Sequence, residues 1–314
     1  MRASRQSDTG KSPVKRNRTL STFLVRTLTG LFLVLVIIGA VLFSSLSYFI
    51  LFSVVILAGM LEFYALARRL KIRAQQFTGI ITGLLFFLVN FLYAMEYIHV
   101  KFFYVFVPLA LLVFINELFL NNRRPFSDIA FTFLGIFYVA LPVSVFNYLV
   151  FHTGIEVDPE LQTRVLAEPI NSLLQPSREV DYSPGILMGY FIILWMYDTG
   201  AYLIGTPFGR RKLMPRISPR KTWEGLVGGT VIALATAWPV SLIFEDIALH
   251  QWWMIALIIV ITGTLGDLTE SMYKRSAGVK DSGSILPGHG GVLDRFDAVF
   301  LSAPVVFAYL NLVN

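Results

Sequence analysis

Phe77–Met95 reads FTGIITGLLFFLVNFLYAM, nineteen residues without a charged side chain. Gly30–Leu42, GLFLVLVIIGAVL, has the same character. A helix needs about 20 apolar residues to cross a hydrocarbon core, and the first stretch comes close to that length unaided. Outward from it, windows of that size recur along the chain. They lie near Thr27–Leu46, Tyr48–Ala67, Phe77–Met95, Phe102–Leu120, Phe126–Phe151, Gly185–Gly205, Trp223–Phe244, Trp252–Glu270 and Arg295–Leu312. Only 15% of the 314 residues are charged and 55% are hydrophobic, against roughly 25% charged in soluble domains. Unbroken apolar runs with so few charges exclude a soluble globular protein, a disordered chain and a coiled coil. The sequence predicts an all-α polytopic integral membrane protein with about nine transmembrane helices.

The positive charges orient it. Met1–Arg26 holds seven Lys/Arg and one acid, with no small-residue cleavage site after a short apolar core; it reads as a cytoplasmic tail. With the N-terminus in the cytoplasm, 23 of the 26 Lys/Arg fall on that side, and only Lys101, Arg164 and Arg178 on the other. Such asymmetry supports both the span count and an external C-terminus. The connection Phe151–Pro184 carries six acids against two arginines and belongs outside. The net charge of +6 thus orients the chain in a membrane, and no nucleic-acid partner is expected. Without cysteine there is no disulfide, thiolate metal site or thiol nucleophile. The chain divides into a basic tail (1–26), five helices (27–151), an acidic external connection (152–184) and four helices that hold the dense polar sequence (185–314).

Two polar clusters carry chemistry. The first, Asp198–Gly225, places Asp198 near the cytoplasmic end of a span, where an ionisable group needs a cavity or a partner. It continues through Arg210, Arg211, Lys212, Ser218, Lys221, Thr222 and Glu224. Basic residues, glycines and a helix start favour phosphate, although basic residues there also serve orientation. A Walker-type phosphate loop is absent. In the second cluster Asp267, Glu270, Ser271, Lys274 and Arg275 stand at i, i+3, i+4, i+7 and i+8, which predicts one helix face. Lys280, Asp281 and His289 follow, then Asp294, Arg295 and Asp297 at the start of the last helix. Carboxylates among basic residues at the membrane edge suit Mg²⁺ completed by phosphates; the alternative is mutually paired charges closing a loop. Glu62 and Glu117 either line the cavity or pair with Arg68/Arg69 and Arg123/Arg124, one or two turns away, and the spacing favours pairing.

At these residues the sequence resembles the phosphatidate cytidylyltransferases, or CDP-diacylglycerol synthases. The family signature is matched by Ser271-Met-Tyr273-Lys274-Arg275, four residues, Lys280-Asp281-Ser-Gly283, then Leu286-Pro287-Gly-His289-Gly290-Gly291-Val292-Leu-Asp294-Arg295-Phe296-Asp297. Tyr273 stands where the family prefers an aliphatic residue or Phe. Ser218-Pro-Arg220-Lys221-Thr222-x-Glu224-Gly225 is similar to a second family motif. The resemblance implies an integral membrane enzyme, often a homodimer, that condenses CTP with phosphatidic acid to CDP-diacylglycerol and pyrophosphate. It also implies Mg²⁺ on Asp267 and Asp294, with a monovalent cation such as K⁺ beside it. Asp267, Ser271, Lys274, Arg275, Lys280, Asp281, His289, Asp294, Arg295 and Asp297 would then be catalytic, and the first cluster would bind substrate. The expected setting is the inner (plasma) membrane, with the site facing the cytoplasm. The rival readings are a CTP-dependent lipid kinase and an anionic-solute transporter. An odd span number without repeats and acids at one membrane face disfavour the transporter.

Overall fold

The computed structural model describes residues 14–120, 122–151, 180–285 and 290–313, with side chains from Leu28 onward in the first helix. Among the described residues nine helices follow one another: α1 Val14–Phe43, α2 Ser45–Arg69, α3 Gln76–Ala94, α4 Val100–Leu120, α5 Pro125–Val150, α6 Gly185–Phe208, α7 Trp223–Ile243, α8 Leu249–Ser276 and α9 Leu293–Val313. The last eight are each long and apolar enough to cross a membrane; in α1 the apolar described stretch is Leu28–Phe43. The expected spans are thus present, with some ends moved: α1 begins at Val14, within the expected tail, and α8 runs on to Ser276. Ser44 is extended and accepts from the Ser47 backbone, so Leu46 belongs to α2 and not to the first span. A side-chain oxygen on an otherwise unpaired helix donor fixes that break. The acidic connection 152–184 lies largely outside the described residues.

A short addition to the helical plan is the hairpin β1 Lys212–Met214 and β2 Ser218–Thr222, antiparallel, with Lys212 opposite Thr222. Its residues are the basic run expected as a loop. Pro215 and Pro219 cannot donate to a helix, and a two-strand ribbon has edges that tolerate proline.

Two helices change pitch. α5 passes through a π-helical turn at Ile136–Ala140, and α8 does so at Ile259–Gly263. The second turn immediately precedes Thr264–Ser276, the polar part of α8. Such turns re-aim the side chains that follow and recur at functional sites. Directly after it, Gly266 lets α8 touch α9: a Cβ there would stand 2.4 Å from the Asp297 carbonyl oxygen. The acids of α8 and α9 are juxtaposed through that contact.

The helices before and after the acidic connection share one core. Phe52 stacks on Phe191 at 6.3 Å, Tyr138 meets Phe300 at 5.3 Å, and Tyr190 hydrogen-bonds Ser302. On α4 only Val113 and Glu117 are buried. An apolar helix with most of its surface open suits lipid rather than water. Glu117 accepts from Gln75 Nε2 and Asn122 Nδ2, each at 2.9 Å, in place of the expected arginines. A neutral amide is the cheaper partner for a carboxylate that is 4% exposed, because only one charge leaves water.

Candidate active site

The two polar clusters meet. Lys221, the penultimate residue of β2, reaches Asp267 on α8 with Nζ to Oδ2 at 2.7 Å. Ser271, one turn on, donates to the other oxygen of Asp267 at 3.2 Å. The hairpin is held in place by residues expected to bind substrate. Thr222 caps α7 by accepting from Gly225, and Glu224 accepts from the backbone N–H groups of Arg210 and Arg211 at 3.0 and 3.1 Å. Trp223 N–H closes the loop on the Arg211 carbonyl at 2.9 Å. Sequence order alone explains little of this; the hairpin returns the basic run to the helix it left.

Lys274 points inward and pairs with both Glu270 and Asp294. Glu270 is fully buried, and among the described residues its carboxylate takes no well-aligned hydrogen bond. Asp294 is more fully engaged. Its Oδ2 accepts from Ser282 N (2.9 Å), Ser282 Oγ (2.9 Å) and Gly291 N (2.8 Å), while Oδ1 faces Lys274. Asp297 accepts from the Ala298 N–H at 2.7 Å and feels the charges of Asp267, Glu270 and Asp198. Asp198 in turn feels Lys221, Asp267 and Arg295.

Of the residues expected on one face of α8, four face this cluster and Arg275 does not. It turns outward, donates to the Val279 carbonyl at 3.0 Å and lines a cavity of about 320 Å³ with Arg216, Ile217, Met272 and Ser276. At i+8 an α-helix has advanced about 80° past its starting direction, which is enough to leave the shared face. Among the described residues neither Arg216 nor Arg275 pairs with a carboxylate. Lys280, Asp281 and Arg295 are exposed at the rim. His289 lies outside the described residues.

Glu62 is a second correction. It reaches across to the segment before α9, where it accepts from Ser282 Oγ, Val292 N and Leu293 N, while Arg68 donates to Gln76. Tyr138 on α5 had no sequence signal. Its hydroxyl is buried without a hydrogen-bond partner among the described residues and feels Asp297, Glu270 and Asp267.

In this cluster Asp198, Asp267, Glu270, Asp294 and Asp297 outnumber Lys221, Lys274 and Arg295. The surplus of hard oxygen donors, with an orphaned hydroxyl beside them, suits a divalent cation. Asp267 Oδ2 and Asp294 Oδ1 each face a lysine ammonium, a cation in the place that a metal ion could take. Among the described residues no three Asp, Glu or His side chains converge as a cage.

The profile of the cytidylyltransferase family matches residues 24–313. Phosphatidate cytidylyltransferases are among the similar proteins. The one from Staphylococcus saprophyticus is 39% identical over 188 residues, covering 59% of this chain and 60% of that protein. That from Staphylococcus haemolyticus is 48% identical over 118 residues, 37% of this chain and 45% of that one. That from Haemophilus influenzae is 43% identical over 129 residues, 40% and 44% of the two. The matched stretches therefore span between 44% and 60% of these relatives' own lengths.

Proposed function

The chain belongs to the cytidylyltransferase family, and from that premise we propose that it condenses CTP with phosphatidic acid to CDP-diacylglycerol and pyrophosphate. The observation that carries the reading is the Lys221–Asp267 pair, which joins the two basic and acidic clusters into one site at the end of α8.

A phosphatidate oxygen attacks the α-phosphorus of CTP. A new P–O bond forms, the bond between the α-phosphorus and its bridging oxygen breaks, and pyrophosphate leaves with the electron pair. A phosphate monoester is largely ionised near neutral pH, its second pKa being about 6. A strong general base is therefore not needed, and the work is to bring two polyanions together and stabilise the leaving charge. Asp267 and Asp294 would hold Mg²⁺, which when bound supplies charge neutralisation at the phosphates. Lys221 compensates Asp267 until substrate arrives and can then turn to phosphate oxygens, while Lys274 stays between the buried Glu270 and Asp294 and holds the Asp294 carboxylate in place. Ser271 orients the Asp267 carboxylate. Arg216 and Arg275 form a cationic cavity flanked by Met272, which is 50% exposed. Two guanidinium groups that have no carboxylate partner among the described residues suit a phosphate headgroup, since guanidinium binds phosphate in bidentate fashion.

The test is purified full-length protein in detergent with CTP, Mg²⁺ and phosphatidic acid. CDP-diacylglycerol and pyrophosphate are the expected products, and formation of CDP with a phosphorylated lipid would move the assignment to a CTP-dependent lipid kinase. In the same assay Arg216→Ala with Arg275→Ala should raise the KM for phosphatidate at least about tenfold, the loss of one or more charged hydrogen bonds. An unchanged KM for the lipid would remove the cavity from the site.

The distribution of Lys and Arg supports an N-terminus and active site on the cytoplasmic side and an external C-terminus. A reporter fused after Asn314 should be accessible only from outside, and one inserted near Arg123 only from inside. A cytoplasmic reporter at Asn314 would overturn that orientation.

A further inference from the structure

Glu62 stands about two turns before the end of α2 and is 4% exposed. Among the described residues its carboxylate accepts three hydrogen bonds and has no ion-pair partner. Oε1 accepts from Val292 N at 3.1 Å, while Oε2 accepts from Leu293 N and Ser282 Oγ, both at 2.9 Å. The first N–H groups of a helix have no partner inside it, so α9 starts on a carboxylate supplied from more than 200 residues away. The turn is shaped around that carboxylate. A Cβ on Gly283 would lie 2.4 Å from Oε1, and one on Gly291 2.2 Å from Oε2. Ser282 Oγ is 2.9 Å from both Glu62 Oε2 and Asp294 Oδ2, and its single proton serves one of them at a time.

The next residue grips the other side of the site. The Phe63 carbonyl accepts from Tyr273 OH at 2.9 Å, and the two rings lie 5.0 Å apart. Tyr273 is the position at which this sequence departs from the family signature, and its hydroxyl is what makes that bond. α2 therefore holds both the end of α8 and the start of α9, while itself contributing nothing to the acid cluster.

We propose that Glu62 is a positioning residue for the nucleotidyl transfer, tying the turn ahead of α9 so that Asp294 and Arg295 stand where substrate needs them. The inference rests on the reading of the site given above. A carboxylate is required because Gln would turn its NH₂ towards either Val292 N–H or Leu293 N–H, donor against donor. Misplacement of a reacting group by 1 Å costs on the order of 10²-fold.

The experiment compares wild type, Glu62→Gln and Glu62→Asp in detergent for kcat, KM, thermal midpoint and backbone hydrogen exchange. For Glu62→Gln a fall in kcat of about 10²-fold is expected, with both KM values within about threefold of wild type. Exchange should quicken at residues 290–293 while the other helices and the thermal midpoint stay as in wild type. Glu62→Asp, which keeps the acceptor, should recover part of kcat. Wild-type kcat in Glu62→Gln would overturn the proposal. So would faster exchange across all helices with a lowered midpoint, the mark of a residue that merely supports the fold. The exchange arm needs no turnover. If wild-type protein made no CDP-diacylglycerol, the proposed activity would fail separately, and unaltered exchange at 290–293 would still reject the tie.

Discussion

Asp267→Asn and Asp294→Asn should each lower kcat by roughly 10²–10³-fold, about 3–4 kcal/mol of lost stabilisation of developing charge. The two reach that loss by different routes. Asp267 is about one-third exposed, and among the described residues its carboxylate pairs with Lys221 and accepts from Ser271 alone. Its asparagine variant keeps shape and local structure but withdraws a negative ligand, so added Mg²⁺ should restore part of the rate. Asp294 is bound on Oδ2 by three donors and on Oδ1 by Lys274. An asparagine there must turn its NH₂ towards either set, which disturbs the turn as well as the charge, and added Mg²⁺ should restore little. If both residues serve one ion, the double variant should be scarcely worse than either single one. Near-wild-type turnover in both single variants would remove the metal assignment, even with the reaction itself upheld.

The largest effect on stability is expected at Lys274. Its ammonium is the ion-pair partner of Glu270, whose side chain is 0% exposed, and of Asp294, at 5%. Removing one member of a buried pair leaves the other charged without compensation, at a cost of about 3–5 kcal/mol. Lys274→Met should therefore lower the thermal midpoint markedly in detergent. Adding Glu270→Gln to that variant removes the stranded charge and should return much of the loss. A midpoint unchanged by Lys274→Met would mean that the pair is solvated, and equal midpoints for the single and double variants would mean that Glu270 is not the stranded group.

Most of the fold was legible because a membrane imposes simple rules. Span lengths follow from the thickness of hydrocarbon, and all nine expected helices are present, most with ends within a few residues of the apolar windows. Within the site, Asp267, Glu270, Ser271 and Lys274 were predicted to share a face, and they do, because helical spacing fixes direction over two turns. The same rule misled at Arg275, where the third turn has drifted off the face and the side chain joins Arg216 instead.

Glu62, Glu117 and Tyr138 show where reading along the chain runs out. A pairing rule based on nearby sequence assigned the two glutamates to arginines on adjacent turns, because opposite charge is the only partner that spacing can see. Burial reverses that preference. Away from water a carboxylate is cheaper to satisfy with neutral N–H and O–H donors than with a second desolvated charge, and such donors lie wherever the tertiary fold brings a helix start or an amide.

The sequence by itself determined that this is an all-α membrane protein, and it singled out the two polar clusters on which the proposed reaction rests. Composition, period and charge asymmetry are local quantities, summed along the chain. Only the tertiary structure decided that Lys221 meets Asp267, that Asp294 is committed to the turn before α9, and that α2 supplies the carboxylate on which α9 begins. Those contacts join residues from 3 to 231 positions apart, and the longer ones depend on which helices pack side by side, with glycines such as Gly266 setting how closely.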